Sequence, residues 1–313
     1  MLKIYKTSKE DKKVKKIKKM VADCWIDLTA PTSEEIDRVA ARTKIDKDLL
    51  TKMLDTEELP RVEQEDNATL IVIDIPYLTN KKESKYRTYP LGIIITNNNY
   101  VITISVKKTT LLNEFRKGRV KDFRTAKKTR FLIQILLKAA SSYLKALKEV
   151  NIDIKETEEM LKKTTSNKEL LDMLEIEKTL VYFMTSLKAN DAVLEKLSKR
   201  IILPLYEDDV DLLEDAVIEY KQAIEMSGIY KDILSSISNT YATVISNNLN
   251  VAMKFLAGIT IVLSIPTIIS SFLGMNVPLG SISKNPNAVI ILLLVSVLVS
   301  LIIAILLKKK DML

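Results

Sequence analysis

The chain has 313 residues, a formal net charge of +8 and no histidine, so it lacks the commonest general base and the commonest metal-ligating side chain. Its single cysteine, Cys24, excludes an internal disulfide and a cysteine-based zinc site. We find no nucleophile–base pair and predict that the protein is not an enzyme. Almost all the charge lies before Lys254, which predicts a water-soluble body followed by a membrane-embedded end.

The N-terminal segment is rich in lysine between Lys3 and Lys19. No apolar stretch of signal-peptide type follows these lysines, so a secretory signal is not predicted. No aromatic platform or reading helix accompanies them, which argues against nucleic acid as a partner. We expect a solvated hairpin or loop near anionic lipid.

The first part of the chain, residues 1–126, is predicted to be an α/β domain. Two short helices are expected between its second and third strands, one beginning near Thr32 or Ser33 with Glu35 completing a capping box, the other running from about Asp46 to Asp55. Runs of β-branched residues predict the strands, the last two joined by a turn at residues 97–99: 2–5, 21–28, 69–78, 91–96 and 100–106.

Long helices follow. Residues 127–204 predict a helical hairpin, with helices at 127–163 and 168–203, a break at 164–167 and Pro204 as the terminator. Residues 205–254 predict a stalk helix that continues into the apolar segment. As one helix, residues 205–265 would extend roughly 90 Å, much more than a bilayer is thick. Coiled-coil packing of the stalk is compatible with this picture.

Two apolar segments predict membrane helices. Residues 255–275 and 288–307 each lack charge and would span roughly 30 Å, the thickness of the hydrocarbon layer. Residues 276–287 predict a short external loop. Lysines before the first span and in the tail 308–313 place both termini in the cytoplasm, so we expect a multi-pass protein of the cell (inner or plasma) membrane.

The first membrane helix carries a polar stripe, formed by Thr260, Ser264, Thr267 and Ser271 on one helical face. Extending this face backwards reaches Met253 and Asn250. Such a stripe can join neighbouring helices through hydrogen bonds, or it can line a pore. One helix cannot enclose water, so a pore requires several copies around a symmetry axis.

The first span ends in the tripeptide Gly274-Met275-Asn276, and Pro266-Thr267 lies eight residues before the glycine. With other segments along the whole chain, this motif resembles the CorA family of magnesium channels. The resemblance implies a homopentamer with a funnel-shaped cytoplasmic domain and a pore lined by the first span. The supporting segments are Met253-Lys254, the Asn-rich residues 246–250, residues 25–28, residues 59–63 and the lysine-rich tail.

The resemblance also implies roles for individual residues. Gly274, Met275 and Asn276 would form the selectivity filter, where a ring of Asn276 carboxamides accepts hydrogen bonds from hydrated Mg²⁺, and Gly274 would allow a close backbone approach. Lys308, Lys309 and Lys310 would form a basic collar; simple positive-inside anchoring is the alternative. Met253 and Leu256 would form a hydrophobic constriction. The expected pore lining is Asn250, Met253, Leu256, Thr260, Ser264 and Thr267.

A regulatory metal site is expected at Asp215, where the family places a sensing aspartate on the stalk. The acidic residues at the start of this helix have an alternative explanation, because negative charge is favoured at a helix N-terminus. That effect falls off within the first turn and so explains Asp215 poorly. By its position in the family, the second carboxylate of the site, from the neighbouring subunit, would fall near Asn80. Asn80 is not acidic, and Asp74 or Glu83 are the alternative partners. The chain also departs from the family in its external loop, which has no acidic residue and carries Lys284.

The predicted function is therefore a divalent cation channel, above all for Mg²⁺, with Co²⁺ or Ni²⁺ as further candidates and with cytoplasmic Mg²⁺ as the gating ligand. Two alternatives stay open at this point. One is a related transporter for Zn²⁺, Co²⁺ or Ni²⁺, or an efflux protein. The other is a non-conducting, membrane-anchored helical scaffold or sensor.

Overall fold

A computed structural model describes residues 1–8, 13–79, 84–163, 167–199, 204–275 and 287–312. The chain divides into two compact units, Met1–Ser235 and Ser236–Leu313. Within the described residues the strands are β1 (Leu2–Thr7), β2 (Val14–Ile17), β3 (Trp25–Thr29), β4 (Arg61–Glu65), β5 (Ala68–Leu78), β6 (Tyr86–Thr96) and β7 (Val101–Ser105). The helices are α1 (Ser33–Thr43), α2 (Lys47–Lys52), α3 (Thr110–Arg116), α4 (Lys128–Lys163), α5 (Asn167–Ser198), α6 (Glu207–Leu273) and α7 (Ala288–Lys308).

The strands form one sheet in the order β2-β1-β3-β7-β6-β5-β4. The β3–β7 pair is parallel, and the other neighbouring pairs are antiparallel. β5 and β6 pair along their whole length of 11 residues each. The predicted turn between β6 and β7 is confirmed, with Asn99 at a φ of 63°, a left-handed conformation that asparagine tolerates better than most residues.

Apolar residues cover both faces of the sheet, which explains the nearly continuous apolar runs in its central strands. On one face Ile26, Leu28 and Ile104 pack with residues of α1 and α2, among them Val39 and Met53. The other face holds an aromatic cluster around the fully buried Trp25. Its indole N–H donates to Thr103 Oγ1 at 2.8 Å, and the rings within 7 Å of it are those of Tyr5, Phe115, Phe123 and Phe131.

The helix starts follow their capping residues. Thr32 accepts a hydrogen bond from the Glu35 backbone N–H, and Glu35 accepts one from the Thr32 backbone N–H, which confirms the expected capping box of α1. Asp46 caps α2 by accepting from the Asp48 backbone N–H. α2 is shorter than predicted, ending at Lys52 rather than near Asp55.

Several predicted bounds were wrong. The strand expected at 21–28 begins at Trp25, because a turn with Asp23 at positive φ precedes it; Cys24 is buried but lies before the strand. α5 ends at Ser198 among the described residues, and its predicted end near Leu203 lies outside them. Two elements were missed, β4 and α3. The hairpin form expected for the lysine-rich N-terminal segment is confirmed by the antiparallel pairing of β1 with β2, although no strand was predicted at 14–17. β2 and β4 are charged edge strands, and charged residues on an edge hide the usual apolar alternation.

α6 is a single helix of 67 residues, which begins in the first compact unit and ends in the second. The prediction that the stalk and the first apolar span form one helix is confirmed, although the helix begins at Glu207 rather than at 205. At about 1.5 Å per residue it extends roughly 100 Å. Pro266 lies inside it, so the helix lacks one backbone hydrogen bond at that point.

Candidate functional site

The second half of α6 displays the predicted polar stripe. Thr260, Thr267 and Ser271 are exposed and Ser264 is half-buried in the single chain. Apart from these four residues and Ser270, the helix carries no polar side chain from Phe255 onward. α6 and α7 are each long and apolar enough to cross a membrane.

Three of the four hydroxyl groups of the stripe donate to carbonyls of their own helix. Thr260 Oγ1 donates to the Leu256 carbonyl at 2.8 Å, and Ser264 Oγ donates to the Thr260 carbonyl at 2.7 Å. Thr267 Oγ1 donates to the Leu263 carbonyl at 3.1 Å. Because each proton is used in this way, the hydroxyl oxygen presents its lone pairs away from the backbone. The stripe is therefore a row of acceptors, which suits the hydrogens of water molecules bound to a cation.

Below the stripe the same helical face becomes apolar and then polar again. Met253 and Leu256 are three residues apart, and their side chains are 60% and 61% exposed in the single chain. Asn250, one turn earlier, is also exposed. Two large exposed apolar side chains next to a polar stripe need a partner surface, since contiguous apolar surface of this kind typically marks an interaction site.

The described part of the predicted filter is the end of α6. The Gly274 backbone N–H donates to the Ser270 and Ser271 carbonyls, and Met275 is exposed. A Cβ on Gly274 would lie 3.5 Å from the Ser270 carbonyl oxygen, an ordinary contact. Within one chain the space around Gly274 would therefore admit a side chain, and the close backbone approach expected at this glycine stays a prediction. Asn276 lies outside the described residues.

The predicted basic collar follows α7. The helix ends at Lys308, and the Lys309 backbone N–H donates to the Ile305 and Leu307 carbonyls. Lys308, Lys309 and Lys310 are all exposed. Three exposed lysines therefore follow the second apolar helix directly, and this position is compatible with both the collar role and the anchoring role.

The acidic start of α6 contains two different kinds of carboxylate. Asp209 is buried and pairs with Arg130 of α4 at 3.2 Å, so it fastens the start of α6 to α4. Asp215, the predicted sensing residue, is exposed two turns later. Among the described residues, no group of three or more Asp, Glu, His or Cys side chains is placed to hold a metal ion.

Asp74, one of the predicted partners of Asp215, is engaged inside its own unit. Its carboxylate accepts a hydrogen bond from Ser186 Oγ of α5 at 2.6 Å, and burial raises the pKa of the Asp74 carboxyl. The Asn190 side chain accepts a hydrogen bond from the Asp74 backbone N–H and donates one to the Asp74 backbone carbonyl. The Tyr143 hydroxyl of α4 donates to the same carbonyl. We call Asp74, Ser186, Asn190 and Tyr143 the Asp74 cluster. The other two predicted partners, Asn80 and Glu83, lie outside the described residues.

Sequence comparison assigns the chain to a family. The profile of the CorA-like Mg²⁺ transporter proteins matches residues 22–309. The chain belongs to this family. A curated relative, the cobalt/magnesium transport protein CorA of Methanocaldococcus jannaschii, is 29% identical over 272 residues, which are 84% of this chain and 83% of the relative.

Solved structures agree with this assignment. The complete CorA magnesium transporter from Methanocaldococcus jannaschii has a TM-score of 0.87 at 25% identity, covering 98% of this chain and 96% of that chain. The full-length CmaX protein (TM-score 0.69, 12% identity, 88% of this chain and 86% of that chain) shares the fold. So does the ZntB cytoplasmic domain from Vibrio parahaemolyticus (TM-score 0.63, 10% identity, 78% of this chain and 98% of that chain).

Family membership confirms two predictions, the fold class and the absence of enzymatic function. A CorA-like chain with two apolar C-terminal helices is a membrane protein, with the α/β domain, long helices and two spans that the sequence predicted. The family consists of transporters and channels, which confirms that the chain is not an enzyme. Sequence reasoning missed the Asp74 cluster, because its members come from β5, α4 and α5 and no sequence spacing connects them.

Proposed function

We propose that this chain forms a homopentameric channel that carries divalent cations, above all Mg²⁺, across the cell (inner or plasma) membrane, with both termini in the cytoplasm. The observation that carries the proposal is the exposed polar stripe of α6, in a chain of the CorA-like Mg²⁺ transporter family. The name of the curated relative supports Mg²⁺ and Co²⁺ as cargo, and Ni²⁺ is a further candidate.

The stripe suits an ion that keeps its water. Mg²⁺ dehydrates reluctantly and demands near-octahedral geometry, so a pore that strips it would face a large barrier. Hydroxyl oxygens whose protons are already bonded to Leu256, Thr260 and Leu263 carbonyls can accept hydrogen bonds from ion-bound water. Neutral acceptors also bind weakly enough to release the ion, as conduction requires.

The apolar pair below the stripe is the proposed gate. Met253 and Leu256 from several copies would form a narrow apolar ring around the axis, and such constrictions close by losing their water. Asn250 would form a polar ring beneath them. The exposure of both apolar side chains in the single chain supports this arrangement, since neighbouring copies would cover them.

Asn276, with Gly274 and Met275, is proposed as the filter at the outer mouth. The test is Mg²⁺ flux into liposomes that contain the full chain. Asn276→Ala should abolish flux while the oligomer survives in size-exclusion chromatography. Asn248→Ala is the matched control, because Asn248 lies on α6 outside the face of the stripe, and it should keep wild-type flux. Full flux in Asn276→Ala would refute the assigned role.

Regulation is proposed at Asp215. Its exposure on α6 leaves the carboxylate open to a cation, and Asp211 lies one turn earlier on the same face, also exposed. Mg²⁺ is commonly held by one or two carboxylates with several waters retained. A partner group from a neighbouring subunit, near Asn80 or Glu83, would complete the site. Asp74 is the weaker candidate, because Ser186 already uses its carboxylate.

Lys308, Lys309 and Lys310 are proposed as a collar of positive charge around the inner mouth. The external loop adds Lys284 and no carboxylate, so it contributes no attraction for cations at the outer entrance. We therefore expect slower uptake than in family members whose loops are acidic.

A further inference from the structure

A cavity of about 600 Å³ in the first compact unit lies between the sheet and the helices α3 and α4. Its volume falls in the range of pockets that hold small molecules. One wall is aromatic, formed by Tyr77, Tyr86 and Tyr89 from the hairpin β5–β6. The rings of Tyr77 and Tyr89 pack edge to face at 5.2 Å, so this wall is fixed by the sheet.

Three lysines from two separate elements line this cavity. Lys107 and Lys108 come from the segment between β7 and α3, and Lys145 comes from α4. Lys107 Nζ lies 3.9 Å above the centre of the Tyr77 ring, a cation–π contact that positions it over the aromatic wall. None of the three forms an ion pair with another residue in the described part of the chain.

Among the described residues that line the cavity, one is a carboxylate, and it is already engaged in a hydrogen bond. Glu149 of α4 accepts a hydrogen bond from the Tyr86 hydroxyl, and its single negative charge offsets only one of the three lysines. A neighbouring cavity of about 550 Å³ has the opposite character, since its lining contains five carboxylates and two lysines. Thr79 lines both cavities, and within the described lining residues the excess of positive charge is found in the first cavity.

We propose that the cavity lined by Lys107, Lys108, Lys145 and the three tyrosines binds a small, multiply charged phosphorylated anion. Lysine is a point charge with three donors and is a common binder of phosphate. The clustered lysines offer such an anion several donors, and the aromatic wall gives it an apolar surface for a ring or sugar. This ligand is separate from the transported cation, and its binding can be measured without any flux.

The test is isothermal titration of the full-length protein in detergent with ATP or with inorganic triphosphate, in EDTA so that no Mg²⁺ chelates the phosphates. Both probes should bind, more weakly at high salt because the contacts are electrostatic. Tighter binding of ATP would show that the tyrosine wall contacts the nucleoside. Equal binding would assign the site to the phosphate chain alone, and either result supports a phosphate site.

Lysine variants connect the binding to this cavity. Lys145→Gln should weaken binding roughly two- to fivefold, and the triple variant with Lys107→Gln and Lys108→Gln should weaken it roughly tenfold to a hundredfold. Lys148→Gln is the matched control, because Lys148 is exposed on the same helix outside the lining. No binding to the wild-type protein at millimolar probe, or equal losses in Lys145→Gln and Lys148→Gln, would overturn the proposal.

Discussion

Asp74 is a carboxyl group whose surroundings favour its neutral form. Burial raises its pKa, and within the described residues its hydrogen-bond donor is the neutral Ser186. A raised folded-state pKa means that stability is greatest below the unfolded pKa of about 3.9 and falls as the pH rises through the folded value. Asp74→Asn removes this titration, so its melting temperature should equal or exceed that of the wild type at neutral pH.

The measurement is the melting temperature of the full chain in detergent between pH 4 and 8. The difference between Asp74→Asn and the wild type should grow with pH. Ser186→Ala is the companion variant: it removes the donor to the carboxylate and should lower the melting temperature at neutral pH. Parallel pH profiles for the wild type and Asp74→Asn would contradict the assignment of a raised pKa.

The substitution Ser264→Ala tests whether a single hydroxyl oxygen of the polar stripe contributes to Mg²⁺ flux. Its hydroxyl proton is bonded to the Thr260 carbonyl, so Ser264→Ala removes an acceptor oxygen from the stripe and leaves the backbone helix intact. We expect Mg²⁺ flux to fall roughly two- to tenfold, in line with the loss of one hydrogen-bonding group per subunit. Ser270→Ala, on α6 but off the stripe, should keep wild-type flux. Equal effects of the two changes would argue that the stripe only joins helices.

At the scale of elements, Gly92 shows how tightly β6 packs against Met53, the residue that follows α2. A Cβ at this position would lie 2.6 Å from Met53 Cγ and Sδ and 2.8 Å from Ile104 Cγ2. Gly92→Ala should therefore destabilise the protein by about 1–3 kcal/mol. Gly228→Ala is the contrasting variant. Gly228 lies within α6, and a Cβ there would lie 3.6 Å from Met184 of α5, an ordinary contact. Helix propensity favours alanine over glycine by roughly 0.8–1 kcal/mol. Thermal melts should move in opposite directions, and a gain in Gly92→Ala would contradict the packing.

The elements that sequence predicted well are those specified by local chemistry. The capping box at Thr32 and Glu35 fixes the start of α1, and the lack of proline and glycine through 127–163 specifies α4. β4 was missed, and β2 was expected only as part of a hairpin or loop, because charged residues dominate both edge strands and neighbouring strands decide the structure there. The polar stripe was predictable from spacing, but the direction of its hydroxyl protons required the helix itself.

At the scale of the whole molecule, the proposed regulation depends on contacts between copies. If Mg²⁺ closes the channel by binding at Asp215, then Asp215→Asn should shift inhibition by internal Mg²⁺ to higher concentrations, roughly five- to 150-fold for a typical coupling. Proteoliposomes loaded with graded internal Mg²⁺ measure this shift. Asp232→Asn, an exposed aspartate farther along α6, should leave the inhibition curve unchanged. An unshifted curve for Asp215→Asn would remove Asp215 from the sensor.

The position of Trp25 gives the molecule a built-in optical reporter. It is the single tryptophan of the chain and is fully buried in the aromatic cluster on the sheet. Its fluorescence therefore follows the melting of the sheet unit, while the second compact unit contributes no indole emission. A spectroscopist can thus follow the unfolding of the first compact unit, Met1–Ser235, in detergent or lipid without attaching a dye.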